Sequence, residues 1–324
     1  LEAVYGNPGP EGEENMTSLN PTKNTVNFQS SFSLNNAYFN KFNLQGAISE
    51  YNHSERTGSG NNHNINFFSD LYEIKTSLNH NSIIDTNSEG LIGFHFQNYD
   101  QGALGQEESH LVHTRTSSFA LFALESFNFD LFDLDVGGRI ESVNLKNTSM
   151  EKGFFPGAFS STIKKEIFTN NTVFGGFDFT ERAPNAVELF ANGPHHALEQ
   201  FEVGDSNMDV ETSYNFSLGY SYNDGLDTLK IETYYNYIDD FIAADRDGNT
   251  TEVEGEDMNN VNFSQYNALF TGLEVSGQYA LAKINDFDII SNVMIDFLKG
   301  YQTSNDKALS GIPQTKMNFG IKAV

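Results

Sequence analysis

The stretch SYNFSLGYSYNDG, residues 213–225, decides the fold. Over residues 213–223 every second side chain is large and apolar or aromatic, and the residues between them are small or polar. A period of two residues predicts a β-strand with two different faces. The Asn-Asp-Gly that follows is typical of a tight hairpin turn, and the alternation resumes over residues 229–237. The sequence therefore predicts an antiparallel hairpin.

The same alternation recurs along most of the chain and predicts about a dozen strands in all. Several of them exceed nine residues, which is the length that a tilted strand needs to cross a bilayer, whereas the strands of a sandwich are usually about five or six residues long. The further strands are predicted at residues 26–34, 42–51, 68–78, 91–99, 119–127, 131–145, 173–180, 270–281, 287–298 and 316–324.

The connections between these strands alternate between short turns and long polar segments. Short turns on one rim and long loops on the other are typical of outer-membrane barrels, so we predict an all-β, antiparallel, up-and-down transmembrane barrel. A secreted β-sandwich or a solenoid also alternates and stays an alternative. The short turns lie at 128–131 and 223–225, and the long segments at 53–66, 100–116, 146–171, 181–212 and 240–268.

The composition limits the possible partners. Forty-four acidic residues against eighteen basic ones give a net charge of -26, which repels a phosphate backbone and favours cations, so we expect no nucleic-acid partner. The chain has no cysteine, which excludes thiolate metal sites and leaves nitrogen and oxygen ligands. The sequence contains no apolar run of eighteen residues, so it predicts no transmembrane helix. Its mean hydropathy of -0.44 is compatible with a membrane barrel.

A longer segment carries a family resemblance. Residues 177–222, FDFTERAPNAVELFANGPHHALEQFEVGDSNMDVETSYNFSLGYSY, resemble the central barrel signature of TonB-dependent outer-membrane receptors, with its Arg-Ala-Pro segment, its E-L-F step and the E-x-S that leads into a strand. The NGPHHA and FEVGD pieces look like the zinc-receptor branch of that family. Three further pieces are similar to the same branch: AVYGNPGPEGEEN at 3–15, ISEYNHSE at 48–55 and ALGQEESHLVHTRTSSFALFALE at 103–125.

The resemblance implies a receptor in the outer membrane of a Gram-negative bacterium, surrounded by lipid and energised by a TonB-type inner-membrane complex through a plug domain. Family members have about 22 wall strands, so we interpret residues 1–324 as one partial barrel domain without the plug and the terminal strands. Two departures are visible. EGEEN lacks the histidines of the family's acidic segment, and SHLVH stands where the family has an A-F-x-P-P step.

Two neighbouring histidines, His195 and His196, are the first metal-ligand candidates. Successive side chains of an extended segment point to opposite sides, so one of them is the better ligand. Imidazole with one or two carboxylates suits zinc, although two histidines in a polar loop are also compatible with simple solvation. The resemblance implies that Glu107 or Glu108 is a partner, together with a plug residue. His110 and His113 are secondary candidates.

The other polar clusters are given no metal role. His53, with Glu50 and Glu55 nearby, and His63 are expected at exposed lip positions, and His80 and His95 are assigned no function. The segment DRDGNTTEVEGED at 245–257 has calcium-like spacing, but its glycine is fourth where an EF-hand needs it sixth. We interpret it as an acidic external loop.

The sequence thus predicts a receptor that transports a divalent metal ion, with zinc as cargo and no resident cofactor. The alternatives are a receptor for a siderophore, haem or cobalamin and, in another class, a secreted sandwich or adhesin-like binding protein. No G-x-S-x-G, P-loop or H-E-x-x-H motif occurs, so we expect no enzyme.

Overall fold

Strands account for most of the protein. The computed structural model describes residues 3–5, 17–36, 38–57, 63–82, 87–105, 109–253 and 255–324. Within these described residues, eighteen strands form one sheet. They are β1 Ala3–Tyr5, β2 Thr17–Ser33, β3 Phe39–Thr57, β4 His63–Asn81, β5 Ser88–Gly105, β6 Thr114–Asn128, β7 Asp133–Lys146, β8 Glu151–Phe154, β9 Gly157–Phe168, β10 Asn171–Arg182, β11 Asn192–His195, β12 Gln200–Val203, β13 Glu211–Asn223, β14 Thr228–Val253, β15 Glu256–Ile284, β16 Phe287–Gln302, β17 Lys307–Ala308 and β18 Lys316–Ala323.

Two short helical segments interrupt the strands, the helix α1, Ala186–Phe190, and a 3₁₀ turn, His196–Leu198. Within the described ranges, no helix has the length and apolar character needed to cross a bilayer. The regular structure is therefore carried almost entirely by strands.

The wall is a continuous antiparallel meander, as the sequence predicts. Consecutive strands pair from β2 to β7, from β7 to β9 and β10, and then through β13, β14, β15 and β16 to β18. In the described registers β1 joins β2 at one end and nothing joins β18 to that end, so the sheet is an open arc. The arc confirms the partial-barrel fold and does not form two stacked sheets.

The two faces of the wall differ as the alternation requires. Phe177 of β10, Phe216 of β13 and Tyr235 of β14 lie opposite one another in register, so their side chains share one face. Phe216 is exposed there, as is Leu218 two residues further on. An exposed row of aromatic and aliphatic side chains along long strands is the lipid-facing surface of a barrel, and the intervening residues face its interior.

Several predicted connections are strands in the structure. Residues 146–171, predicted as a loop, contain β8 and β9. The lysines and the glutamate near the end of β9 interrupt its alternation, which is why the pattern does not reveal this strand. Residues 240–253 and 256–268 belong to β14 and β15, strands of 26 and 29 residues that extend the wall well beyond its neighbours. Residues 53–57 and 63–66 likewise extend β3 and β4. These extensions carry polar residues on both faces, so hydrophobic alternation does not detect them.

The segment between β10 and β13 leaves the meander and folds back over it. α1 packs its buried face on wall residues, in a cluster of Leu145, Phe154, Ala186, Leu189, Phe190, Met208 and Ile242. The β11–β12 hairpin follows, and β12 pairs in parallel with β15. Since β14 occupies one edge of β15, β12 lies along the other edge, beyond the point where β16 stops pairing. The hairpin is thus fixed at the long-loop rim.

A network of charged side chains anchors this segment. Arg182 Nη1 donates to Glu188 Oε2 at 2.9 Å, and Arg182 Nη2 donates to Glu211 Oε2 at 3.2 Å. Glu188 also closes a capping box with Asn185 at the start of α1. One guanidinium therefore holds the end of β10, the start of α1 and the start of β13 together.

We predict that Arg182→Ala lowers the free energy of unfolding by about 1–3 kcal/mol, because Glu188 and Glu211 lose their partner while partly buried. The value is below the roughly 3–5 kcal/mol of a fully buried pair, since 42% of the Arg182 side chain is exposed. Urea unfolding in detergent measures it. Arg115→Ala, which breaks an exposed pair with Asp100, is the control and should cost less than about 1 kcal/mol. Equal losses in both variants would contradict the anchoring role.

Candidate metal centre

The β11–β12 hairpin brings one histidine and one carboxylate together. Gly193 lies opposite Glu202 in the register, and His195 follows Gly193 on the same face of the strand. His195 Nδ1 and Glu202 Oε1 are 2.7 Å apart and share a hydrogen bond. The short 3₁₀ turn between the strands is what places the two residues side by side.

A second histidine reaches this pair from the segment between β5 and β6. The His110 backbone N–H donates to the Pro194 carbonyl oxygen at 3.1 Å. The His110 ring stacks on the His195 ring with 4.2 Å between the ring centroids and 15° between the planes. A Cβ at Gly193 would lie 2.8 Å from the Ser109 carbonyl oxygen. The close approach of this segment to β11 therefore requires glycine at position 193.

His110, His195 and Glu202 form a cluster that could hold a metal ion. One donor atom from each lies within 4.8 Å of the other two. His110 and Glu202 are only 8% and 7% exposed, and the Nδ1 atom of His110 is buried with no hydrogen-bond partner. Two imidazoles and a carboxylate are a donor set for Zn²⁺ and its transition-metal neighbours. Lone pairs lie in the ring planes, so one stacked ring has to turn for both to bind one ion.

The surroundings set both groups in their metal-binding protonation states. Burial, and after it the nearby His195, lowers the pKa of His110 from 6.5 to about 4, so the imidazole is neutral at neutral pH. Burial raises the pKa of the Glu202 carboxyl, but the hydrogen bond from His195 and the proximity of the His110 and His195 rings outweigh it and lower the pKa below its usual value. A neutral imidazole therefore faces an ionised carboxylate.

The structure brings together only some of the predicted ligands. His110 and His195 belong to the cluster, whereas His196 opens the 3₁₀ turn and lies outside it. His113 Nε2 is instead 2.7 Å from Asp100 Oδ1, and Arg115 donates to the other oxygen of the same carboxylate. Glu107 and Glu108 lie outside the described residues.

Glu202 is the cluster member that the sequence analysis missed. The signal was present, because period-two alternation on both sides of a four-residue turn places residues 193, 195, 200 and 202 on one face. Recognising it required the turn length, which the hydrophobic pattern does not report.

The fold and the cluster together define a class of protein: the wall of an outer-membrane β-barrel with a nitrogen-and-oxygen cluster at its long-loop rim. The sequence matches the family described as "TonB dependent receptor-like, beta-barrel" over residues 2–322. The chain belongs to this family, whose members are proteins of the Gram-negative outer membrane.

Solved structures of the same fold include receptors for several cargoes. The copper transporter OprC is 14% identical and superimposes with a TM-score of 0.73, covering 95% of this chain and 53% of its own. A double mutant of the hemophore receptor HasR of Serratia marcescens, in complex with HasA and heme, is 12% identical with a TM-score of 0.72, covering 94% and 56%. The ferric enterobactin receptor PfeA of Pseudomonas aeruginosa is 13% identical with a TM-score of 0.68, covering 95% and 48%. The chain spans about half the length of each, and the likeness concerns the fold alone.

We predict that acid destabilises the protein partly through His110. Its pKa is lower in the folded chain than the 6.5 of the unfolded one, so its contribution to stability is complete above pH 6.5 and is lost as the pH falls through about 4. His110→Asn, which cannot take up this proton, should show a smaller loss of unfolding free energy between these pH values. Parallel urea unfolding at several pH values measures the difference. Identical slopes for the two proteins would contradict the assignment.

We predict that Gly193→Ala separates His110 from His195, because the new methyl group meets the Ser109 backbone. NMR of the imidazole protons should show loss of the ring-current shift of the stacked pair, and a His110 pKa that rises from about 4 towards 6.5. Gly153→Ala is the control, since a Cβ at Gly153 has no atom within 4 Å. An unchanged His110 spectrum in Gly193→Ala would show that the glycine does not position the ring.

Proposed function

We propose that this chain is the wall of an outer-membrane receptor that takes up a divalent transition-metal ion, with zinc as the cargo. The observation that carries the proposal is the cluster of His110, His195 and Glu202 at the long-loop rim, in which His110 and Glu202 are buried. Zinc is bound by nitrogen and oxygen ligands where thiolate is missing, whereas calcium and magnesium prefer oxygen alone.

The charge of the chain supports cation capture. A net charge of -26 attracts divalent ions, and the acidic outer ends of β14 and β15, residues 245–253 and 256–257, extend beyond the neighbouring strands. Acidic surfaces raise the local concentration of cations and their association rate. When an ion arrives, one of the two stacked imidazoles would turn, so that both imidazoles and the Glu202 carboxylate bind the ion. Water would complete the coordination shell of the ion.

Three protein ligands suit a transport site better than a closed cage of four. An ion with water in its shell exchanges ligands more readily, and a transported ion has to leave. Release inward would require the plug domain and the TonB-type inner-membrane complex that the family implies, and the apolar outer face would contact membrane lipid. No catalytic step is part of this proposal.

A second candidate cargo is a metal chelate such as a siderophore. A cavity of about 580 Å³ lies beside α1 and is lined by Gln97, Tyr99, Glu141 and Arg182 among other residues. Its volume is within the usual range for small organic ligands, and its lining offers hydrogen-bond donors and acceptors. A chelate would occupy this cavity, whereas a bare ion would occupy the buried cluster, so the two cargoes predict different sensitive residues.

We predict that His195→Asn weakens Zn²⁺ binding by at least about tenfold, which corresponds to about 1.4 kcal/mol, because it removes one of three ligands. His196→Asn, a change at the adjacent residue outside the cluster, should leave the affinity within about threefold. Isothermal titration of the detergent-solubilised chain with Zn²⁺ measures both. Equal affinities for the parent and His195→Asn would contradict the cluster. Binding of a ferric siderophore that depends on Arg182 and not on His195 would favour the second candidate.

A further inference from the structure

A column of aromatic rings leads from the metal cluster into the wall. Beyond the stacked His195 and His110 rings, the Phe67 ring of β4 lies 6.0 Å from His110 between centroids. The His53 ring of β3 then stacks on Phe67 at 4.7 Å, with only 9° between the planes. His53 and Phe67 are directly opposite in the strand register. A second histidine site is therefore one phenyl ring away from the first.

His53 does not occupy the exposed lip position expected from the sequence. Its side chain is only 18% exposed, and that of the nearby Glu55 is 10% exposed. The Nδ1 atom of His53 is buried with no hydrogen-bond partner.

The distance between His53 and Glu55 is longer than that in the other histidine–carboxylate pairs of the described chain. His53 Nε2 and Glu55 Oε1 are 3.4 Å apart. The other four pairs are at hydrogen-bond distance: 2.8 Å for His80–Glu125, and 2.7 Å for His95–Glu73, His113–Asp100 and His195–Glu202.

A separation of 3.4 Å is long for a hydrogen bond between these groups. It matches two ligands of one tetrahedral ion, because metal–ligand distances of about 2.0–2.1 Å place neighbouring donors about 3.3–3.4 Å apart. The His53 imidazole and the Glu55 carboxylate are thus already spaced to bind a common ion, whereas the other four pairs satisfy each other directly.

We propose that His53 and Glu55 form a second, weaker site for a divalent transition-metal ion, which receives the ion released by His110, His195 and Glu202. This inference rests on the proposed function. Two protein ligands hold an ion less tightly than three, which suits a transient binding site on a transport path. The apolar Phe67 ring lies between the two histidine sites, so one ion cannot bind to both at once and each site has its own affinity.

The test is a Zn²⁺ titration of the whole 324-residue chain in detergent, by calorimetry. The parent should show a tighter and a weaker binding event. His53→Asn and Glu55→Gln should each weaken the second event at least tenfold and leave the first within about threefold, while His195→Asn should do the reverse. His95→Asn is the matched control, since it removes a wall histidine already hydrogen-bonded to Glu73, and both events should persist. The heat-dependent shift in gel mobility verifies that each variant is folded. If His53→Asn does not fold, Glu55→Gln still tests the site, because glutamine keeps the shape of the glutamate side chain.

The outcomes distinguish the two proposals. A single binding event that depends on His195 and is unaffected by His53→Asn and Glu55→Gln overturns the second site and leaves the proposed function intact. Loss of both events in a folded His53→Asn or Glu55→Gln variant also overturns it, because the two sites would then be one. A parent chain that binds no Zn²⁺ contradicts both proposals, and a weaker event lost only in the His53 and Glu55 variants supports both.

Discussion

Backbone hydrogen bonding in the bilayer is the constraint on which the rest of this structure depends. Lipid offers no partner to an N–H or C=O group, so each wall strand has to pair along its length with its neighbours. The strands between the two edges of the arc meet this requirement, and the alternation of side chains then separates a lipid face from an interior face. Polar and ionisable groups can be concentrated inside and at the rim only because the wall is satisfied in this way.

The candidate metal cluster lies where the chain departs from the meander. Between β10 and β13 the backbone groups find other partners: α1 is capped, β11 pairs with β12, and β12 pairs in parallel with the free edge of β15. Arg182 fixes the base of this segment, and Gly193 lets the backbone before β6 lie against it. The stacked histidines thus come from segments far apart in the sequence, held by backbone contacts that do not depend on a bound ion.

The sequence predicted the wall well and the site only in part, for physical reasons. Alternation identifies strands such as β13 because lipid forces one face to be apolar. It fails for β9, where Ser161 and Lys165 interrupt the apolar face, and for the outer parts of β14 and β15, where both faces are polar. His195 was recognised from its motif, but Glu202 and the stacking of His110 depend on turn length and on a contact between distant segments. The burial of His53 depends on its register opposite Phe67, which one strand alone cannot reveal.

X-ray absorption at the zinc K-edge of the zinc-loaded chain tests the central claim most directly, because it reports the ligands of the bound ion. With one equivalent of zinc, the account predicts a shell of nitrogen and oxygen atoms at about 2.0–2.1 Å and the outer-shell scattering of two imidazoles. That imidazole signal should fall by half in His110→Asn. A shell of oxygen atoms without imidazole scattering, or a spectrum unchanged in His110→Asn, would contradict the account.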